Sequence, residues 1–207
     1  MIDIIASIKK SDGKFTEKFV EKIAKIPSLM PSFHLSLQSG CDSVLKRMNR
    51  HYTTSEYASA VETLRKYYPM CAVTTDIIVG FPGESDEEFE STINFVEKIS
   101  FAKIHIFPYS PREGTAAAKM KNQIDGILKA KRCKILETSE KKHRSIFQQK
   151  HCGKYVPVLF EQQKDGVWEG YTENYLPVFL KSAQDLTDQI INVKIISQSN
   201  DGLLSEI

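Results

Sequence analysis

Ala72-Val73-Thr74-Thr75-Asp76-Ile77-Ile78-Val79-Gly80-Phe81-Pro82-Gly83-Glu84-Ser85-Asp86-Glu87-Glu88-Phe89 reads from left to right as a strand, a turn and a helix start. The β-branched run Ala72 to Val79 suits a pleated, mostly buried strand. Gly80 to Glu84 holds two glycines and a proline, which break the run and turn the chain. Ser85 to Glu88 then has the capping-box form, in which hydroxyl and glutamate satisfy opposing orphan backbone donors. Phe89, Ile93, Val96 and Ile99 follow at helical spacing, one apolar face of a helix. A strand feeding a helix in this way is the repeat of an α/β parallel sheet.

Working outward, Ile2 to Ala6, Phe33 to Leu37 and Lys103 to Phe107 supply three further strands, each followed by helical periodicity. A second capping box, Thr53-Thr54-Ser55-Glu56, precedes the stripe Tyr57, Val61, Leu64, Tyr68. Four parallel strands are too few to close a barrel, which takes about eight. Ile2 to Ala6 is therefore expected as an open edge, with earlier strands missing. A long helix over about 123–149 is predicted next, with Gly153 as its left-handed C-terminal residue. From Tyr155 the pattern changes to short alternating segments, Val156 to Glu161, Trp168 to Tyr171, Leu176 to Leu180 and Ile190 to Ile196. Lys164-Asp165-Gly166 and Asn200-Asp201-Gly202 divide them. The expected organisation is an incomplete (βα) partial barrel over 1–151 and a small all-β barrel over 152–207.

Composition is that of a folded globular chain, 41% hydrophobic and 26% charged. No apolar run reaches the roughly 20 residues of a membrane span and no signal sequence leads the chain, so the cytoplasm is the expected location. Cys41, Cys71, Cys133 and Cys152 lie 30, 62 and 19 positions apart, matching no zinc, iron–sulfur or redox spacing. Net charge is +2, but residues 119–150 carry ten basic against three acidic side chains, while 152–207 is acidic on balance. The block Lys129-Ala130-Lys131-Arg132-Cys133-Lys134 suits a phosphate backbone or a solvated helix face.

Strand alternation places His34, Ser36 and Gln38 on one face, Thr74 and Asp76 on another strand's face, and His105, Phe107 and Tyr109 on a third. Together they would line the inside of the sheet near the carboxyl strand ends, where ligands of such folds bind. The histidines read equally as hydrogen-bonded core residues. Gln38-Ser39-Gly40 and Gly80 to Glu84 are the loops at two strand ends. Walker, Rossmann, HExxH and GxSxG patterns are absent from the sequence.

The run Phe33-His34-Leu35-Ser36-Leu37-Gln38-Ser39-Gly40-Cys41-Asp42-Ser43-Val44-Leu45-Lys46-Arg47-Met48-Asn49-Arg50-His51-Tyr52-Thr53 resembles the signature of the radical S-adenosylmethionine tRNA methylthiotransferases. Thr75 to Glu84 and Phe107 to Ala117 match further blocks in order, and the segment after Cys152 looks like the family's TRAM barrel. The resemblance implies a radical-SAM partial barrel, S-adenosylmethionine and a [4Fe-4S] cluster as cofactors, and tRNA as partner. It implies cofactor-binding roles for Gln38, Ser39, Asp76, Gly80 and Phe107, with Ser36, Arg50 and Tyr109 beside them. No general base and no metal ligand is implied among these residues. The family's CxxxCxxC motif has no counterpart here, so the chain is expected to need the missing N-terminal part of the enzyme and to be inactive alone. The His34-to-Gln38 and Lys46-to-Arg50 forms look like the threonylcarbamoyl-adenosine branch rather than the isopentenyl-adenosine branch. RNA phosphates are assigned to Lys131, Arg132 and Lys134, and Trp168 and Tyr171 either stack on bases or fill the small barrel. The alternatives are an RNA-binding remnant without catalysis and a βα enzyme acting on a phosphorylated small molecule.

Overall fold

The computed structural model describes residues 4–6 and 16–207, so the expected strand residues Ile2 and Asp3 lie outside the described residues. Strands β1 (Ile4–Ala6), β2 (Ser32–Leu35), β3 (Ala72–Val79) and β4 (Lys103–Pro108) form a parallel sheet in the order β1-β2-β3-β4. Helices α1 (Glu17–Ile23), α2 (Asp42–Arg47), α3 (Thr54–Tyr67) and α4 (Asp86–Ile99) connect them. Both capping boxes form as expected: Thr53 and Ser85 accept from the backbone of Glu56 and Glu88, whose carboxylates reach back. The faces of α3 and α4 that bear Tyr57, Val61, Leu64, Phe95 and Val96 bury against Leu35, Leu37, Ile77 and Val79 of the sheet. Each such large side chain contributes about 1.5–3 kcal/mol by leaving water.

Strand β2 ends two residues earlier than its sequence pattern suggests. The reason is competition for its backbone. The Thr75 hydroxyl donates to the Leu35 carbonyl at 2.6 Å and accepts from the Leu37 amide at 2.9 Å, and Tyr57 and Tyr52 donate to the Leu35 and Leu37 carbonyls at 2.8 Å each. Side chains thus replace ladder partners. Gln38 takes a left-handed backbone, φ 72°, and rejoins β3 through its own amide and carbonyl. That kink swings the chain out at the strand end.

Helix α5 (Gly126–Gln149) is capped by Asp125 and ends at Lys150. Gly153 is left-handed, φ 79°, but lies three residues beyond that cap and donates its amide to Ile195 across the junction. It belongs to the turn into the next unit rather than to the helix end. There β5 (Tyr155–Lys164), β6 (Val167–Thr172), β7 (Pro177–Lys181), β8 (Gln189–Gln198) and β9 (Leu203–Glu206) close a barrel in the order β5-β6-β7-β9-β8. Val158, Phe160, Trp168, Val178, Leu180, Val193, Ile195 and Leu203 fill it, which assigns Trp168 to the core. Strand β9 is an addition to the expected set: its burial alternates, but the sequence Leu203-Leu204-Ser205-Glu206 does not alternate apolar with polar.

A buried latch joins the two units. Asn174, in the turn between β6 and β7, donates to the Met70 carbonyl and to His151 Nε2 at 2.9 Å each, while its oxygen accepts from Thr172. His151 Nδ1 in turn bonds the Phe147 carbonyl at 3.1 Å.

Candidate functional site

Because successive strand residues alternate, the face of the sheet opposite α3 and α4 presents Ser32, His34, Thr74, Asp76, Lys103, His105 and Phe107 to one cavity of about 630 Å³. Arg144 and Gln148 of α5 wall it, and Tyr171, Asn174 and Tyr175 of the small barrel floor it. Within it His34 Nδ1 meets the Thr74 hydroxyl at 3.0 Å, and its Nε2 lies 3.2 Å from Asp76 Oδ2 and 3.3 Å from the Ser36 hydroxyl. The rings of His34 and His105 are 6.0 Å apart. Burial, with help from the Lys103 charge, holds the His105 pKa below its ordinary value. Ligand atoms of His34, Asp76 and His105 fall within 4.8 Å of one another, so these three could also hold a metal ion.

Asp76 and Phe107 line the cavity, Phe107 half-exposed, and Ser36 reaches it through its contact with His34. Gln38 stands at the strand end with its backbone committed to β3. Tyr109, just past β4, packs its ring edge-on against Phe81, and its buried hydroxyl has no hydrogen-bond partner. The remaining three expected residues stand apart. Ser39 is buried and turned to Thr92 of α4 at 3.3 Å, because the chain after Gln38 tucks under that helix. Arg50 is exposed on the loop leading to α3. Gly80, left-handed at φ 73°, gives its amide to Glu84 Oε2 at 2.8 Å and has Lys129 packed on it.

The basic helix also divides in a way its composition hides. Arg132 is only 3% exposed and is bound to Glu84 and Asp86 at 2.7 Å each, so it is not open to an RNA phosphate. This corrects the assignment of Arg132 to phosphate contacts; helical periodicity puts Lys131 and Lys134 outside and Arg132 inside. Sequence reasoning placed Arg144 only within the basic stretch of the long helix, and missed Gln148, Asn174 and Tyr175 altogether. Tyr171 and Tyr175 stack with centroids 4.8 Å apart and planes 17° apart. Only tertiary pairing of the small barrel with the sheet makes these residues neighbours of the site.

The residues fit a polar, partly aromatic small molecule: a carboxylate, two imidazoles, hydroxyls and an apolar ring line the cavity on the inner face of the sheet. They do not fit an iron–sulfur cluster. Cys71 and Cys133 are buried, and burial raises the Cys71 pKa to about 11, the reverse of what a thiolate ligand needs. No group of three cysteines converges among the described residues.

Residues 4–96 match the Radical SAM superfamily. The chain is 35% identical over 197 residues to threonylcarbamoyladenosine tRNA methylthiotransferase MtaB of Bacillus subtilis, covering 93% of this chain and 43% of that protein. It is 36% identical over 189 residues to the tRNA-2-methylthio-N(6)-dimethylallyladenosine synthase of Maricaulis maris, covering 90% and 41%. MtaB of Thermotoga maritima is 37% identical over 202 residues, covering 97% and 46%. The chain thus spans less than half the length of these three curated relatives. Among solved structures, the radical SAM enzyme coproporphyrinogen III oxidase (HemN) of Escherichia coli superposes with a TM-score of 0.55 at 12% identity, over 99% of this chain and 50% of that one. That likeness speaks to fold alone. No helix among the described residues is long and apolar enough to cross a membrane.

Proposed function

We propose that this chain, a relative of the radical SAM tRNA methylthiotransferases, contributes the S-adenosylmethionine-binding strand ends and the RNA-holding barrel of such an enzyme. The observation that carries the reading is the gathering of Asp76, His34 with its Ser36 contact, and Phe107 on the inner face of a parallel sheet, with the buried, unpartnered hydroxyl of Tyr109 just past the end of β4. Bound there, S-adenosylmethionine would supply the adenosyl radical on reductive cleavage. The protein's part is placement. Asp76 offers a carboxylate acceptor, Ser36 a hydroxyl and Tyr109 a phenol for polar groups of the ligand, and Phe107 an apolar surface for a ring. His34 and Thr74 hold Asp76 in its direction from below. No residue of the site is assigned a general-base role.

The cluster that such chemistry requires is assigned to a cysteine-bearing N-terminal part of the enzyme, since the cysteines of this chain do not converge. The 152–207 barrel is proposed as a TRAM-like unit, with the exposed lysines of α5 beside it for tRNA phosphates. Within the family we place the chain in the threonylcarbamoyl-adenosine branch, on the form of His34 to Gln38 and Lys46 to Arg50. Relatives of both branches match at similar identity. A second reading, RNA binding without catalysis, draws on the same scattered cysteines. Calorimetric titration with S-adenosylhomocysteine separates the two: saturable binding lost in Asp76→Ala supports the cofactor site. Absence of binding at millimolar ligand, with anticodon stem-loop binding retained, would leave only the second reading.

A further inference from the structure

Helix α5 grips the two strand ends of the site with charge rather than with apolar packing. Arg132 Nη1 donates to the Glu84 carbonyl at 3.1 Å and to its carboxylate at 2.7 Å, and Nη2 donates to Asp86 at 2.7 Å. The guanidinium also lies 5.3 Å from the Phe89 ring centre. Glu84 passes the grip on, because the same carboxylate oxygen accepts the Gly80 amide at 2.8 Å. One turn earlier on the same face of α5, Lys129 lays its methylenes over Gly80; a Cβ built there would sit 2.3 Å from Lys129 Cγ. Its ammonium reaches the Tyr109 carbonyl at 2.9 Å. Two adjacent cations thus fix the end of β3 and the end of β4.

We propose that Lys129 and Arg132 are positioning residues, which set the height and direction of the 80–86 loop and of Tyr109 against the ligand held at the strand ends. The inference rests on reading those ends as an S-adenosylmethionine site. Burying a guanidinium carries a desolvation cost that a methionine of similar volume would avoid. What the guanidinium adds is angular constraint: its planar fork binds two carboxylates and a carbonyl in fixed directions. The lysine adds closeness, since only a glycine at 80 admits its stem. Neither cation faces outward as Lys131 and Lys134 do.

The test uses the full chain with Arg132→Gln and Lys129→Met, and Lys98→Gln as an exposed charge-loss control on α4. Hydrogen exchange at Gly80, Gly83 and Glu84 reports the loop directly. Exchange there is expected to speed up about tenfold in both variants, and in neither case within 155–207, for the loss of a charged hydrogen bond. S-adenosylhomocysteine affinity is expected to fall roughly tenfold in both and to stay unchanged in the control. If the unaltered chain binds the probe and both variants bind it equally well, the positioning role is overturned while the cofactor site stands. If the unaltered chain shows no saturable binding, the cofactor reading fails and takes this inference with it. Lys129→Met leaves the buried ion pair intact, so it decides the matter even where Arg132→Gln fails to fold.

Discussion

Replacing His151 with Gln should remove a pH dependence built into the junction of the two units. His151 is 3% exposed; its Nδ1 faces a carbonyl and so carries the proton, and its Nε2 faces the Asn174 amide nitrogen and so must accept. The ring is held neutral, and burial pushes its pKa below the ordinary 6.5. Protonation would set two donors face to face, and turning Asn174 over would bring its oxygen against the Met70 carbonyl. The folded chain then binds fewer protons at this site than the unfolded chain, so the contribution is fully present above pH 6.5 and is lost as pH falls below it. The loss is about 1.4 kcal/mol for each pH unit below the unfolded pKa, until the folded pKa is reached. Urea unfolding followed by fluorescence of Trp168, the single tryptophan, reports the small barrel directly. Between pH 6.5 and 5.5 the unaltered chain should lose more stability than His151→Gln, by up to about 1 kcal/mol, the titration being only partial near its midpoint. Parallel pH curves for the two proteins would refute the latch as drawn.

Arg132→Met should destabilise the chain by about 3–5 kcal/mol at pH 7.5, since it strands the buried Glu84 carboxylate, whose pKa burial already raises. Chemical denaturation should show a smaller penalty as the pH is lowered, because burial raises the Glu84 pKa and eases its neutralisation. Leu136→Ala, at a fully buried position of α5, should cost about 2–5 kcal/mol in the same assay. Gly170→Ala would place a Cβ 2.4 Å from the Leu159 carbonyl, so cooperative unfolding of the small barrel should weaken by about 1–3 kcal/mol in calorimetry. Lys131→Ala with Lys134→Ala should lower tRNA affinity and reduce the salt slope by about 1 for each phosphate that goes unneutralised, read by filter binding across salt concentrations.

Much of the sheet was legible because its signals are local. Strand β3 matches its expected bounds residue for residue, and both capping boxes sit where hydroxyl and glutamate stand three apart. The polar inner face followed from alternation alone, so His34, Ser36, Asp76 and Phe107 could be grouped from the sequence. What escaped was decided by partners distant in sequence. Nothing near Leu35 announces that Thr75, Tyr57 and Tyr52 would take over its backbone and shorten β2. Arg132 looks like its lysine neighbours in composition, and only the helical phase relative to Glu84 sends it inside. Ser39 shares a motif with Gln38 yet turns to Thr92, since the left-handed backbone at Gln38 redirects the chain from Ser39 onward.

Helix α5 has 24 residues and so runs about 36 Å at 1.5 Å per residue. Its first turns are pinned to the strand ends through Lys129 and Arg132, and its last turns to the small barrel through Ser145, which bonds Gln198, and through Phe147, whose carbonyl holds His151 just past the helix end. Between these ends Leu136 is buried in the sheet's core and Ser139 and Lys142 hold Glu97 of α4, so the helix is a strut tied to the sheet along its length. A tilt of only 5° would carry its far end about 3 Å, the length of one hydrogen bond. The strut thus joins the small barrel, at the Asn174 latch, to the loop at Gly80, so that a tilt at one end would have to be taken up at the other.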